Sequence, residues 1–143
     1  MEKKKLGQWM LLAVVCLSFS VGEIYAQKHE FADFKRYAKE NATLAQPVKK
    51  EKRVVFMGNS ITEGWVRTHP DFFKTNGYIG RGISGQTSYQ FLLRFREDVI
   101  NLAPALVVIN AGTNDVAENT GPYNEDYTFG NIASMAELAK ANK

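Results

Sequence analysis

The chain has 143 residues, of which 45% are apolar, 12% aromatic and 23% charged, with a formal charge of +3. That length suits one domain, and the composition excludes a disordered, collagen-like or low-complexity chain. The basic residues are scattered, so the positive balance identifies no nucleic-acid surface.

The first residues read as a leader rather than as part of a fold. Lys3, Lys4 and Lys5 form a basic head, Trp9 to Val21 is largely apolar, and a short, more polar stretch runs to Ala26. This pattern predicts a secretory signal peptide over residues 1–26, cleaved after Ala26 although Ile24 is larger than such sites prefer. The apolar run is shorter than the about 20 residues needed to span a bilayer, so no stable membrane insertion is expected after cleavage. The expected location is secreted or periplasmic. Cys16 is the single cysteine. Val15 before it is a poor fit to a lipoprotein site, so Cys16 is expected to leave with the leader. The mature chain then has a charge of +2 and neither a disulfide nor a thiolate metal site.

Residues 27–52 form a lead-in. Phe31, Phe34, Tyr37 and Leu44 recur at roughly helical spacing, which predicts a short amphipathic helix on the outside of the domain, closed by Pro47. The cluster Lys49-Lys50-Glu51-Lys52-Arg53 fits a solvated approach to the first strand better than a nucleic-acid patch.

From residue 53 to 143 strands and helices alternate. Val54 to Met57 is a continuous apolar run ending at Gly58, as expected for a strand buried on both faces. Tyr78 to Ile83 is a weaker second strand. Thr87 and Gln90 form a capping box that opens a helix carrying Phe91, Leu92, Phe95 and Val99, ended by Pro104. Leu106 to Ile109 is a third buried strand. After a polar loop, Phe129, Ile132, Met135, Ala136 and Ala139 fall at helical spacing from about Asp126. The alternation predicts an α/β, three-layer parallel sheet in flavodoxin-like order, with the first strand between the second and third. Only three strands are expected in this sequence, which stops where a fourth should begin and leaves the very apolar third strand at an open edge.

Each strand ends in a short motif at the sheet edge where open parallel sheets bind ligands. Gly58-Asn59-Ser60-Ile61-Thr62 sets a serine hydroxyl at a strand-to-helix turn, beside unpaired backbone N–H groups. Ile83-Ser84-Gly85-Gln86-Thr87-Ser88 offers a glycine whose N–H can approach a ligand closely. Gly112-Thr113-Asn114-Asp115 adds a side-chain amide. A nucleophile with two such donors describes an oxyanion hole.

In order, strand context and spacing these three blocks resemble the first three signatures of the SGNH hydrolase superfamily, the GDSL-like lipases and acylhydrolases, over Arg53 to the end. The resemblance implies a serine ester hydrolase working through an acyl-enzyme. Ser60 would be the nucleophile, and Ser60 N–H, Gly85 N–H and the Asn114 amide the oxyanion donors. No metal or organic cofactor is implied, and the partner is a small-molecule or glycan ester, with carbohydrate O-acetyl groups one class that the analogy suggests. Asn59 stands where the commonest family form has Asp, a position outside the acid–base chemistry. Asp115 is read as bracing its loop. The family's last block, D-x-x-H, is absent, and His29 and His69 are not at the expected place for a base.

The blander readings run alongside. Gly85 could be a helix-entry glycine, Asn114 a loop cap, and Trp65 plain packing rather than a sugar platform. Gly80-Arg81-Gly82-Ile83-Ser84-Gly85 also matches the dinucleotide fingerprint, but its strand is weak and no acidic residue follows at the right distance on a strand end. A nucleotide-binding α/β domain is therefore the minor alternative. An inactive truncated remnant, at most glycan-binding, is the main one.

Overall fold

The computed structural model describes residues 30–142. The leader, Cys16 and His29 lie outside the described residues. From Ala32 on the chain forms one compact unit.

Three parallel strands, β1 (Val54–Gly58), β2 (Tyr78–Gly82) and β3 (Leu106–Asn110), run in the order β2-β1-β3. The expected flavodoxin-like arrangement is therefore present as a partial sheet. Val55 and Met57 of β1 point to one face, where they pack on Phe91, Phe95 and Val99 from the helical segment after β2 and on Met135 near the end of the chain. Val54 and Phe56 point to the other face, as the period of two requires. There Phe56 meets Trp65 and Phe73 edge-on, at 5.5 Å and 5.3 Å between ring centroids.

The helices follow in chain order as α1 (Ala38–Thr43), α2 (Ser60–Thr68), α3 (Pro70–Asn76), α4 (Ser88–Asp98), α5 (Thr113–Val116) and α6 (Glu125–Ala141). α2 and α3 cover β1 and β2 on one side, and α4 and α6 pack on each other across the opposite side. α3 carries local signals the strand–helix alternation did not weigh: Pro70 opens it and Gly77 closes it with a φ of +64°. α4 starts with the expected capping box, in which Gln90 Oε1 accepts from Thr87 N at 2.9 Å.

Three expectations are corrected. The lead-in helix is only six residues long, and Phe31 and Phe34 are exposed. The segment is held instead by buried Ala32 and Tyr37 and by polar contacts from Asn41, whose Nδ2 donates to Asp98 Oδ1 at 2.7 Å. Phe129 does not join the core but is 71% exposed, and Ala136 also faces solvent, whereas Met135 is fully buried. Part of the polar loop after β3 is the short helix α5.

A fourth correction falls on β3, which was expected to be buried and is an edge strand whose two faces differ. Val107 and Ile109 pack on the core, while Leu106 and Val108 are 53% and 38% exposed. An open groove of about 350 Å³ runs beside β3, lined among others by Val99, Val107, Ile109 and Ala139. Among the described residues no helix is long and apolar enough to cross a membrane.

Candidate active site

The register brings the three strand tips level: Gly58 of β1 pairs with Gly82 of β2 and with Asn110 of β3. The three motifs begin within two residues of this line and so converge on one edge.

Ser60 occupies the first position of α2 and is exposed. Buried Asn59 caps the helix, its Oδ1 accepting from Ile61 N and its backbone carbonyl from Glu63 N, both at 3.0 Å. Asn and Asp serve equally well as such caps, which accounts for the departure at this position. Among the described residues Ser60 N–H has no hydrogen-bond acceptor, as expected at the first turn of a helix, where the N–H groups favour negative charge.

Two glycines bring α2 this close to the sheet. A Cβ on Gly82 would lie 2.3 Å from Glu63 N and 2.8 Å from Asn59 O, and one on Gly80 would lie 2.2 Å from Val66 Cγ2. The first two glycines of the apparent dinucleotide fingerprint are thus filled by helix packing. Ile83 N then donates to Gly58 O at 3.0 Å, which ties the second motif to the first.

Gly85 adopts a φ of +78°, a conformation that favours glycine. Its N–H has no acceptor among the described residues, while its carbonyl accepts from Asn119 Nδ2 at 3.0 Å. Asn114 Nδ2 donates to Gln86 O at 2.9 Å. One of the two amide hydrogens of Asn114 thereby joins the third motif to the second, and the other has no acceptor among the described residues. Asp115 is buried and accepts from Ser88 N at 3.0 Å, from Ser88 Oγ, and from Thr128 Oγ1 at 3.3 Å. It braces the start of α4 against α6, in line with the structural role expected of it.

Several residues that hold the site carry no motif. Arg94 is fully buried beneath the strand tips and donates to Gln86 Oε1, Asp98 Oδ2, Gly58 O and Arg81 O at 2.6, 2.8, 3.1 and 2.9 Å. Burial pushes its guanidinium down from the ordinary value, and the hydrogen bond it donates to Asp98 opposes that. Tyr37 Oη donates to Gly82 O, and Gln86 Nε2 donates to Ala32 O at 2.9 Å, so the lead-in reaches the second motif. Burial raises the Tyr37 hydroxyl above its usual value. Glu63 Oε2 accepts from Ser84 N at 2.9 Å and from Ser84 Oγ, while Oε1 pairs with Arg36 at 3.1 Å. The Ser84 hydroxyl, then Arg36, hold the Glu63 carboxyl below its usual range. The sequence offered one hint: Arg94 and Asp98, four residues apart, share the apolar stripe of α4 with Phe91 and Phe95.

Of the two histidines only His69 lies among the described residues. His69 is exposed at the far end of α2, about 13 Å along the helix axis from Ser60, with its Nδ1 engaged by Thr68 Oγ1. Trp65 stacks on Phe72 at 5.2 Å and 18° and meets Phe73 edge-on, as packing requires, and remains 39% exposed. Among the described residues no group of three or more His, Cys, Asp or Glu is placed to hold a metal ion.

The profile of the GDSL-like Lipase/Acylhydrolase family matches residues 56–143. A GDSL-like lipase of Bacteroides thetaiotaomicron is 94% identical, with a TM-score of 0.79 over 80% of this chain and 56% of its own. A Bacteroides fragilis protein assigned as an acylhydrolase is 80% identical, with a TM-score of 0.77 over 78% of this chain and 53% of its own. An acetyl xylan esterase is 30% identical, with a TM-score of 0.51 over 63% of this chain and 54% of its own. This chain therefore spans little more than half the length of these solved structures. No curated protein sequence matches it.

Proposed function

Since this chain belongs to the GDSL-like lipase/acylhydrolase family, we propose that it carries the nucleophile half of a serine ester hydrolase. The observation that supports this reading best is the level alignment of the strand tips, with Ser60 exposed on a helix N-terminus and two neighbouring backbone N–H groups without acceptors among the described residues.

In this reading Ser60 Oγ attacks the ester carbonyl and passes its proton to an imidazole. Ser60 N–H, Gly85 N–H and the free hydrogen of the Asn114 amide hold the oxyanion. The C–O bond then breaks, the alcohol leaves with the proton, and water cleaves the acyl-enzyme by the same route. The D-x-x-H block that supplies the base in this family is not among the 143 residues. A chain bearing that block is proposed to be the active form. The present residues are proposed to retain little more than what donors alone provide, about 10³–10⁴-fold over water. The proposed substrates are O-acyl esters, with acetylated polysaccharide favoured by the acetyl xylan esterase likeness. The leader-like pattern of residues 1–26 supports export to the periplasm or medium.

The rival reading is a remnant that binds glycan without chemistry, and it rests on the lack of an imidazole near Ser60 among the described residues. Hydrolysis of 4-nitrophenyl acetate, with and without added imidazole, separates the two. A faster imidazole-dependent rate for the chain than for its Ser60→Ala variant supports the hydrolase. Equal rates for both proteins leave only the remnant.

A further inference from the structure

Resting on that reading of Ser60 and Gly85, we propose that Glu63 is a positioning residue that aims the Gly85 N–H at the oxyanion. Three observations carry it. Glu63 stands one helical turn after Ser60, and its own N–H is fixed by the carbonyl of the capping residue Asn59 at 3.0 Å. Its carboxylate takes both donors of Ser84, the residue just before Gly85. On the other side, the Gly85 carbonyl is held by Asn119 Nδ2 at 3.0 Å. The Ser84–Gly85 peptide is therefore suspended between two fixed points, one on the nucleophile's helix and one beyond the third motif. A left-handed glycine is conformationally permissive, so a loop with a φ of +78° at Gly85 needs such points to keep its N–H in one direction.

A carboxylate beside an oxyanion would oppose catalysis if left bare. Here Arg36 pairs with Glu63 at 3.1 Å and offsets the charge. A glutamine retains an oxygen that can accept from Ser84, so the neutral isostere preserves the hold. The alanine variant does not. Glu63 and Arg36 are both partly exposed, so neither substitution empties a core position.

The test uses the full chain with imidazole as the base and 4-nitrophenyl acetate as substrate. Backbone amide exchange at Ser84 and Gly85 is read by NMR. For Glu63→Ala the expected result is a kcat about tenfold lower with KM nearly unchanged, since a misaimed donor forfeits part of what its removal costs. Exchange at Ser84 and Gly85 speeds up, and Glu63→Gln restores both readouts to near the starting values. A general loss of stability with unchanged kcat per folded molecule, or unaltered exchange at Ser84 and Gly85, overturns the proposal. If Ser60→Ala has no effect on turnover while exchange still responds to Glu63→Ala, the hydrolase reading fails and takes the positioning role with it, leaving a loop clamp alone.

Discussion

Replacing Arg94 by methionine keeps most of the side chain's length and removes its charge from a fully buried site. Four acceptors lose the guanidinium at once: Gln86 Oε1, Asp98 Oδ2, Gly58 O and Arg81 O, of which Gly58 O keeps Ile83 N. Asp98 is left as a buried carboxylate with Asn41 Nδ2 still donating to it. Breaking one side of a buried ion pair costs about 3–5 kcal/mol, because the remaining charge cannot return to water. The Asn41 contact, any water that enters and the Ile83 N–H that still bonds the Gly58 carbonyl reduce this, and the loss of the guanidinium from the Arg81 carbonyl and Gln86 Oε1 increases it, so about 4 kcal/mol is the expected loss. Native domains hold about 5–15 kcal/mol in total, so the variant should be close to unfolding. Urea denaturation followed by far-UV circular dichroism measures the difference, with Arg94→Lys as a partial rescue that keeps the charge facing Asp98. A loss below about 1 kcal/mol for the methionine variant would refute the reasoning, since it would mean that the hub contributes no more than a surface pair.

Gly82→Ala would push a Cβ to 2.3 Å from the Glu63 backbone nitrogen. Backbone cannot yield cheaply there, so a loss of about 1–3 kcal/mol in urea denaturation is expected, accompanied by faster amide exchange at the start of α2. The Glu63 carboxyl is held below its usual value by Ser84 and Arg36. Its contribution to stability is therefore complete above the unfolded carboxyl pKa and lost as pH falls through the depressed folded value. Thermal melts from pH 6 down to pH 3 should fall more steeply for the chain than for Glu63→Gln. Leu106 and Val108 are exposed on the open edge strand, where apolar side chains invite pairing with another sheet. Leu106→Lys with Val108→Lys should reduce association measured by light scattering at a given concentration, without shifting the melting midpoint upward.

Much of the fold was legible because burial leaves a plain signature. β1 reads as an unbroken apolar run because it is the central strand, β3 reads the same way although Leu106 and Val108 are exposed at the open edge, and the order of strands followed from right-handed crossovers. β2 was faint for a physical reason: Gly80 and Gly82 are where α2 lies against the strand, so side chains that would mark it as apolar cannot be present. The lead-in misled through the spacing of Phe31 and Phe34. It is anchored by Tyr37, Asn41 and a backbone carbonyl of Ala32, contacts that have no periodicity. Phe129 sits at a helical interval from Ile132, yet that interval cannot tell which side of α6 the sheet lies on.

The candidate site divides in the same way. Ser60, Gly85 and Asn114 stood out because each belongs to a recognisable block at a strand end, and the structure places the blocks on one edge. Glu63 and Asn119 were silent because their partners on the second motif lie 21 and 34 positions away, and Arg94 showed only its Asp98 pairing, since its bond to the Gly58 carbonyl spans 36 positions. Asp115 was legible as a brace but not in its target, the first turn of α4.

The central claim is that Ser60 is an activated hydroxyl facing prepared donors. Treating the chain with diethyl 4-nitrophenyl phosphate in imidazole buffer, followed by peptide mass spectrometry, tests it most directly. A diethylphosphoryl adduct on the peptide containing Ser60, formed faster than on any other serine and missing from Ser60→Ala, is the expected result. Labelling of Ser60 no faster than that of exposed Ser84 would contradict the account.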